Sequence, residues 1–150
     1  MQGQQAPDFT GLDQDGQIVS LSQFNGKKVA LYFYPKDNTP GCTAQACNLR
    51  DNFLLLKKKG IVVIGVSADS VKSHKNFKTK QNLPFPLIAD EDLKIVQLYG
   101  VWQLKKFMGR EFEGIVRTTF LINESGIIEY IINKVQTKSH TEQILSIWNL

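Results

Sequence analysis

A chain of 150 residues with 42% hydrophobic and 21% charged side chains suits one globular domain, residues 1–150, long enough to bury a core without staples. The net charge of +4 and pI near 9.1 raise nucleic acid as a partner, but the lysines are scattered at predicted element ends and faces, as on a solvated surface, so none is expected. MQGQQAPDF has no basic stretch before an apolar one, and the longest apolar runs, such as Ile61 to Val66, are far short of a membrane span, which predicts a soluble, cytoplasmic protein with no membrane contact.

Ala6 to Thr10 reads as an extended segment, and Asp13-Gln14-Asp15-Gly16 as a turn before Ile18, Val19 and Leu21, giving an N-terminal hairpin. Ser20 or Ser22 could cap a helical turn through Phe24 that Gly26 ends. Val29 to Tyr34 has no polar face and predicts a central strand covered on both sides. Pro35 stops it, since proline cannot donate to the ladder.

After the loop, apolar residues at 46, 49, 53 and 56 share one helical stripe, with Lys57 to Lys59 and Gly60 closing a single helix. Ile61 to Val66 is a second buried strand, and strand–helix–strand predicts that it lies parallel to the first. Ser70 opens a polar helix to about Gln81. Leu87 to Ala89 is a short extended piece, and Asp90 or Asp92 caps a helix through Tyr99, ended by Gly100. Residues 101 to 115 show no clean period and read as a loop, with Trp102 and Phe107 as core or pocket wall. Arg117 to Asn123 and Ile127 to Asn133 form an antiparallel hairpin about Glu124-Ser125-Gly126. Ser139 caps a last helix with Ile144, Ile147 and Trp148 inward. The order predicts a mixed α/β sheet flanked by helices, of thioredoxin-like fold, with Cys42 beyond the carboxyl end of a central strand where ligands bind in such sheets.

Cys42 and Cys47 are the only cysteines, and in a reducing compartment they point to catalysis, redox sensing or metal binding. Cys42 falls in the first helical turn, after Pro40 and Gly41, where unpaired amides and the helix dipole favour a thiolate. Thr39 offers a hydroxyl to a bound oxygen. The plainer alternative makes Cys42 a small buried residue, Thr39 a cap and Cys47 a buried neighbour of Ala46. On a regular helix the two α-carbons would stand about 8.5 Å apart and about 140° around the axis. A disulfide tolerates roughly 7 Å, so joining these thiols requires the first turns to unwind. A C-x4-C spacing is not that of a thioredoxin-type dithiol. Zinc lacks ligands, because only His74 and His140 remain, both read as lying on polar helix surfaces. A Cys–His hydrolase would need one of those histidines beside the thiol.

PKDNTPGC resembles the peroxiredoxin signature Pro-x-x-x-Thr-x-x-Cys, with Pro35, Thr39 and Cys42 in register. APDF, GVSADS, LIADED, YGVW and GIVRTTFLI extend the likeness over nearly the whole chain. Cys47 resembles the resolving cysteine of the peroxiredoxin Q, or bacterioferritin comigratory protein, subfamily. Gln45 departs from it where many relatives carry glutamate, which questions a helix-surface contact.

The resemblance implies reduction of hydrogen peroxide and organic hydroperoxides without metal, haem, flavin or other cofactor. Cys42 would pass through a sulfenic acid to a disulfide with Cys47, recycled by thioredoxin, in a monomer serving antioxidant defence. Arg117 matches the active-site arginine and would reach in from the other side of the sheet, while Thr39 would orient the peroxide and Pro35 shield the thiolate from water. A redox-sensing or chaperone-like switch using the same disulfide is the rival function, and a basic nucleic-acid-binding module a third.

Overall fold

The run KVALYF, apolar on both faces after its first residue, lies inside the sheet with a strand on each side. The computed structural model describes residues 1–150. In chain order its strands are β1 (Thr10–Leu12), β2 (Ile18–Ser20), β3 (Lys28–Phe33), β4 (Ile61–Ser67), β5 (Leu87–Ala89), β6 (Trp102–Phe107), β7 (Arg110–Ile115), β8 (Thr118–Ile122) and β9 (Ile128–Ile132). The helices are α1 (Pro40–Asp51), α2 (Phe53–Lys58), α3 (Val71–Gln81), α4 (Lys94–Leu98) and α5 (His140–Trp148), with short 3-10 turns at Leu21–Phe24 and Thr137–Ser139.

Seven strands make one mixed sheet in the order β2-β1-β5-β4-β3-β8-β9. Strands β3, β4 and β5 run parallel, as the strand–helix–strand pattern predicts; β8 returns antiparallel beside β3, and β9 beside β8. The extended piece at 87–89 is thus a strand of the sheet. The N-terminal hairpin is present, but its first strand begins at Thr10, later than the segment expected from Ala6. Alternation along the strands divides the core. Val29, Leu31 and Phe33 face the N-terminal segment and α4, while Ala30, Tyr32 and Tyr34 face Leu49 of α1, Leu56 of α2, Phe77 of α3 and Ile144 of α5. Gly65 of β4 admits the Tyr32 ring, since a Cβ there would stand 2.9 Å from Tyr32 Cζ.

The expected single helix from Cys42 to Lys59 is two, interrupted at Asn52. Asparagine is a poor helix former, and the Asn52 side chain donates back to the Asn48 carbonyl at 2.8 Å, competing with the regular ladder. The apolar stripe is as read: Ala46, Leu49 and Leu56 are fully buried and Phe53 packs against them. Ser70 caps α3, accepting from the Ser73 amide at 3.1 Å. The helix begun by Asp90 or Asp92 is shorter than expected, Lys94–Leu98, and buried Asp90 accepts from the Ile95 and Val96 amides at 3.1 and 2.8 Å.

Residues 101 to 115 are not a loop. β6 and β7 pair as a separate antiparallel ribbon, turned by Met108 and Gly109, both at positive φ. Most of its side chains are exposed, so neither face carries an apolar stripe for a period to register. Phe107 is 66% exposed and belongs to neither core nor pocket wall, while Trp102 packs on the core edge. Many of the basic side chains lie on solvated faces, several paired with acids, including Lys28–Glu124, Lys75–Asp15 and Lys106–Glu111.

Candidate active site

β3 ends at Phe33 and is followed by Tyr34 and Pro35, and five residues after Pro35 α1 starts with Pro40 and Gly41 as its first residues, not just before it. Proline there has no amide to leave unpaired and its φ suits the first turn. Thr39 occupies the N-cap position with extended backbone but does not cap: its hydroxyl donates instead to the Lys36 carbonyl at 2.8 Å. No side chain caps this terminus, so the amides at the start of α1, in the turn that carries Cys42, have no side-chain acceptor.

Cys42 is 1% exposed, and both cysteines are free thiols. Arg117 Nη2 donates to Cys42 Sγ at 3.3 Å. Arg117 immediately precedes β8, whose first residue pairs with Phe33 at the end of β3. The arginine therefore comes from the adjacent strand at the same end of the sheet, not from the other side. Continuing the alternation of Thr119 and Leu121 puts it on the α1 face. Gly41 makes the approach possible: a Cβ at 41 would stand 3.2 Å from Arg117 Nη2.

The second arm of the guanidinium is held by a residue the sequence reading placed on the helix surface. Gln45 is fully buried, and its Oε1 accepts from Arg117 Nη1 at 2.6 Å. Its position is set by α1 itself, since residues three apart share a face and Cys42 and Gln45 are so spaced. Gln45 Nε2 and Tyr32 Oη are buried without hydrogen-bond partners. Burial above all, then the neighbouring Cys42 and Asp37, pushes the Tyr32 phenol well above its ordinary range, so it remains a neutral donor.

Cys47 follows one and a half turns along the unbroken part of α1 and is half-buried. Its thiol donates not toward Cys42 but to Gln81 Oε1 at 3.4 Å, at the end of α3, where Arg50 also donates to the Gln81 carbonyl. Cys42, Gln45 and Arg117 are thus brought together, while the thiol of Cys47 bonds elsewhere. Pro35 and Thr39 are half-buried in the connecting loop.

Both histidines are buried, contrary to the surface positions expected. His140 lies between Thr119 Oγ1, 2.8 Å from Nε2, and Gln143 Oε1, 2.9 Å from Nδ1. The acceptor Gln143 requires Nδ1–H, so Thr119 donates to Nε2. Burial lowers its pKa to about 4, the Arg117 charge adding to the effect. His74 Nδ1 lies 2.7 Å from Asp37 Oδ2, and Nε2 lies 3.0 Å from the Ile88 carbonyl. Asp37, Asp69 and His74 form a group with metal-ligand chemistry. Asp37 and His74 are committed to Tyr34, Ser73, Ile88 and each other, and Asp69 Oδ2 to Ser67 and the Asp37 amide, so the group reads as a structural network. Each histidine shares a face with a buried apolar residue, His74 with Phe77 and His140 with Ile144, which is the signal that could have found them.

The model of the AhpC/TSA family matches residues 2–131. Over 143 residues the chain is 49% identical to the putative peroxiredoxin Bcp of Coxiella burnetii, covering 95% of both chains. It is 50% identical to that of Haemophilus influenzae, covering 95% of this chain and 92% of the relative. Among solved structures, a cysteine-to-serine mutant of peroxiredoxin Q from Xylella fastidiosa superposes with TM-score 0.92 at 30% identity, over 99% of this chain and 95% of that one. The bacterioferritin comigratory protein of Xanthomonas campestris, described for its alkyl peroxide reduction activity, superposes with TM-score 0.88 at 33% identity, over 94% and 90%. The two solved structures share with this chain the mixed sheet with flanking helices that makes the fold thioredoxin-like.

Proposed function

The chain belongs to the AhpC/TSA family, in its Bcp or peroxiredoxin Q branch, and on that premise we propose that Cys42 is the peroxide-reducing thiol and Cys47 its resolving partner. As a peroxiredoxin it is an enzyme, a thiol peroxidase that takes peroxide as substrate and a thioredoxin-type dithiol as reductant. The observation that carries the assignment is the 3.3 Å contact of Arg117 Nη2 with Cys42 Sγ at an uncapped helix N-terminus. Guanidinium and amides together offer donors and positive potential to the sulfur and to the charge that develops on the peroxide oxygens.

In the first step the Cys42 thiolate attacks one peroxide oxygen and the O–O bond breaks. Sulfur becomes a sulfenic acid, and the leaving oxygen takes a proton as water or alcohol. Arg117 bonds the peroxide, Thr39 orients it and Pro35 keeps water from the sulfur; the Arg117–Cys42 contact and the half-buried Pro35 and Thr39 in the loop leading into α1 support these roles. In the second step α1 unwinds through its first turns, Cys47 attacks the sulfenic sulfur, and water leaves as the Cys42–Cys47 disulfide forms. A dithiol protein, thioredoxin by this reading, reduces it in two exchanges. The alkyl peroxide activity of the Xanthomonas relative supports organic hydroperoxides as substrates besides hydrogen peroxide.

The remaining assignments follow the same reading. One continuous seven-stranded sheet supports a single domain over residues 1–150. Two cysteines on one helix support a monomer, because the disulfide needs no second chain. Two free thiols suit a cytoplasmic setting; no helix is long and apolar enough to cross a membrane. The test is peroxide turnover coupled to NADPH, thioredoxin reductase and thioredoxin. Cys42→Ser should abolish it, and Cys47→Ser should leave the sulfenic acid formed but unresolved. Full turnover by Cys42→Ser would overturn the assignment.

A further inference from the structure

Asp37 is the one fully buried residue between Pro35 and Thr39, and its carboxylate receives three donors: Tyr34 Oη at 2.6 Å, Ser73 Oγ at 2.8 Å and His74 Nδ1 at 2.7 Å. Its backbone amide donates to Asp69 Oδ2 at 2.8 Å, and the same oxygen accepts from Ser67 Oγ at 2.6 Å. The side chains of the Asp37–His74 pair are 1% and 0% exposed. A carbonyl only accepts, so His74 Nε2 must carry a proton toward Ile88. The ring is thus held from both sides, by the Ile88 carbonyl and by Asp37, and removing either partner would leave a polar group unpaired in a dry interior.

The origin of these partners is informative. Tyr34 follows β3, Ser67 ends β4 and Asp69 follows it, Ser73 and His74 lie in the first turn of α3, and Ile88 is in β5. None belongs to α1. Arg117, by contrast, is held through Gln45, which lies between the two cysteines in the stretch that disulfide formation unwinds.

We propose that Asp37 and His74 are positioning residues that peg the Pro35–Thr39 loop to the sheet and α3, so that the unwinding of α1 stops at Thr39–Pro40. The inference rests on the cycle proposed above. On disulfide formation Gln45 leaves Arg117 and the helical half of the site dissolves. The loop half stays assembled, and reduction restores the pocket by rewinding one short segment. His74 touches neither substrate nor sulfur and acts only through Asp37.

Amide hydrogen exchange on the reduced and peroxide-treated wild type tests this, with thiol counting on the same samples. The Thr43 amide, bonded to the Thr39 carbonyl at 2.9 Å, should lose protection with its neighbours through Cys47 once the disulfide forms. The Asp37 amide should keep its protection. Loss of both together overturns the proposal. Failure of peroxide to consume both thiols overturns the cycle itself, a separate result.

The second arm compares His74→Leu with the double variant Asp37→Leu/His74→Leu, which replaces the buried pair by apolar side chains. The double variant should melt below the wild type, because Tyr34, Ser73 and the Ile88 carbonyl lose their partners, and, while folded, form the Cys42 sulfenic acid roughly tenfold or more slowly, because the loop has lost its register. A folded double variant with a peroxide rate within about twofold of wild type overturns the positioning role. Should neither variant fold, the exchange experiment on the wild type decides.

Discussion

Arg117 spans Gln45 and Cys42, with Nη1 2.6 Å from the amide oxygen and Nη2 3.3 Å from the sulfur. The arginine is aimed at Cys42 by a neutral acceptor, so its positive charge is not cancelled where it meets the sulfur. Gln45→Leu removes the acceptor and should slow the reaction with peroxide by roughly ten- to a hundredfold, the usual cost of losing a transition-state donor's alignment. Gln45→Glu keeps the reach but shares the guanidinium's charge with a carboxylate, and should also slow the reaction with peroxide. Stopped-flow rates check both, and a glutamate variant as fast as wild type counts against the charge argument.

Gly41→Ala should separate helix stability from reactivity. Alanine is the better helix former, by up to about 1 kcal/mol in a helix interior, but its methyl carbon would stand 3.2 Å from Arg117 Nη2 and crowd it. The expected result is an equal or higher melting temperature with slower sulfenic acid formation. A variant as fast as wild type would mean that Arg117 adjusts freely.

His140 makes stability depend on pH. Its pKa is depressed from 6.5 to about 4 in the folded chain, so the unfolded chain binds the proton more readily. The contribution is present above pH 6.5 and lost as pH falls through 4. The shift corresponds to about 3 kcal/mol. Denaturant unfolding at several pH values should show the wild type losing more stability than His140→Gln over that window. Parallel curves would refute the assignment.

Met108→Asn should stabilise the β6–β7 ribbon. Met108 holds φ of 51° before Gly109 at 77°, the left-handed pair that Asn-Gly adopts with least strain. The side chain is 88% exposed and has little packing to lose. A gain of about 0.5–1 kcal/mol is expected from thermal melts, with peroxide turnover unchanged.

What was legible in the chain tracks what burial imprints on it. β3 and β4 are apolar on both faces and declared themselves, as did the β8–β9 turn, because glycine was needed there. The β6–β7 ribbon, exposed along most of its length, leaves no such imprint, and its turn uses Met-Gly where Asn-Gly would have been a signal. Pro35, Thr39, Cys42 and Cys47 sit close together in sequence, so spacing alone raised the cysteines. The Gln45 contact joins residues 72 apart, and the His74 contact depends on Asp37 across 37. Flanking polar residues such as Ser73 and Lys75 disguised His74, because α3 buries only a narrow stripe.

The interruption at Asn52 gives the redox chemistry a length scale. On the proposed cycle, unwinding that starts at Pro40 would run out before α2, whose Leu56 is packed against the sheet. On that cycle only a few turns of helix separate dithiol from disulfide, and the folding free energy of those turns becomes part of the electrochemical potential of the couple. For a two-electron exchange about 30 mV corresponds to about 1.4 kcal/mol, so a substitution that firms the start of α1 by about 1 kcal/mol should raise the potential by about 20 mV. Helix propensity between residues 40 and 47 would then read out in millivolts, through side chains that never touch either sulfur.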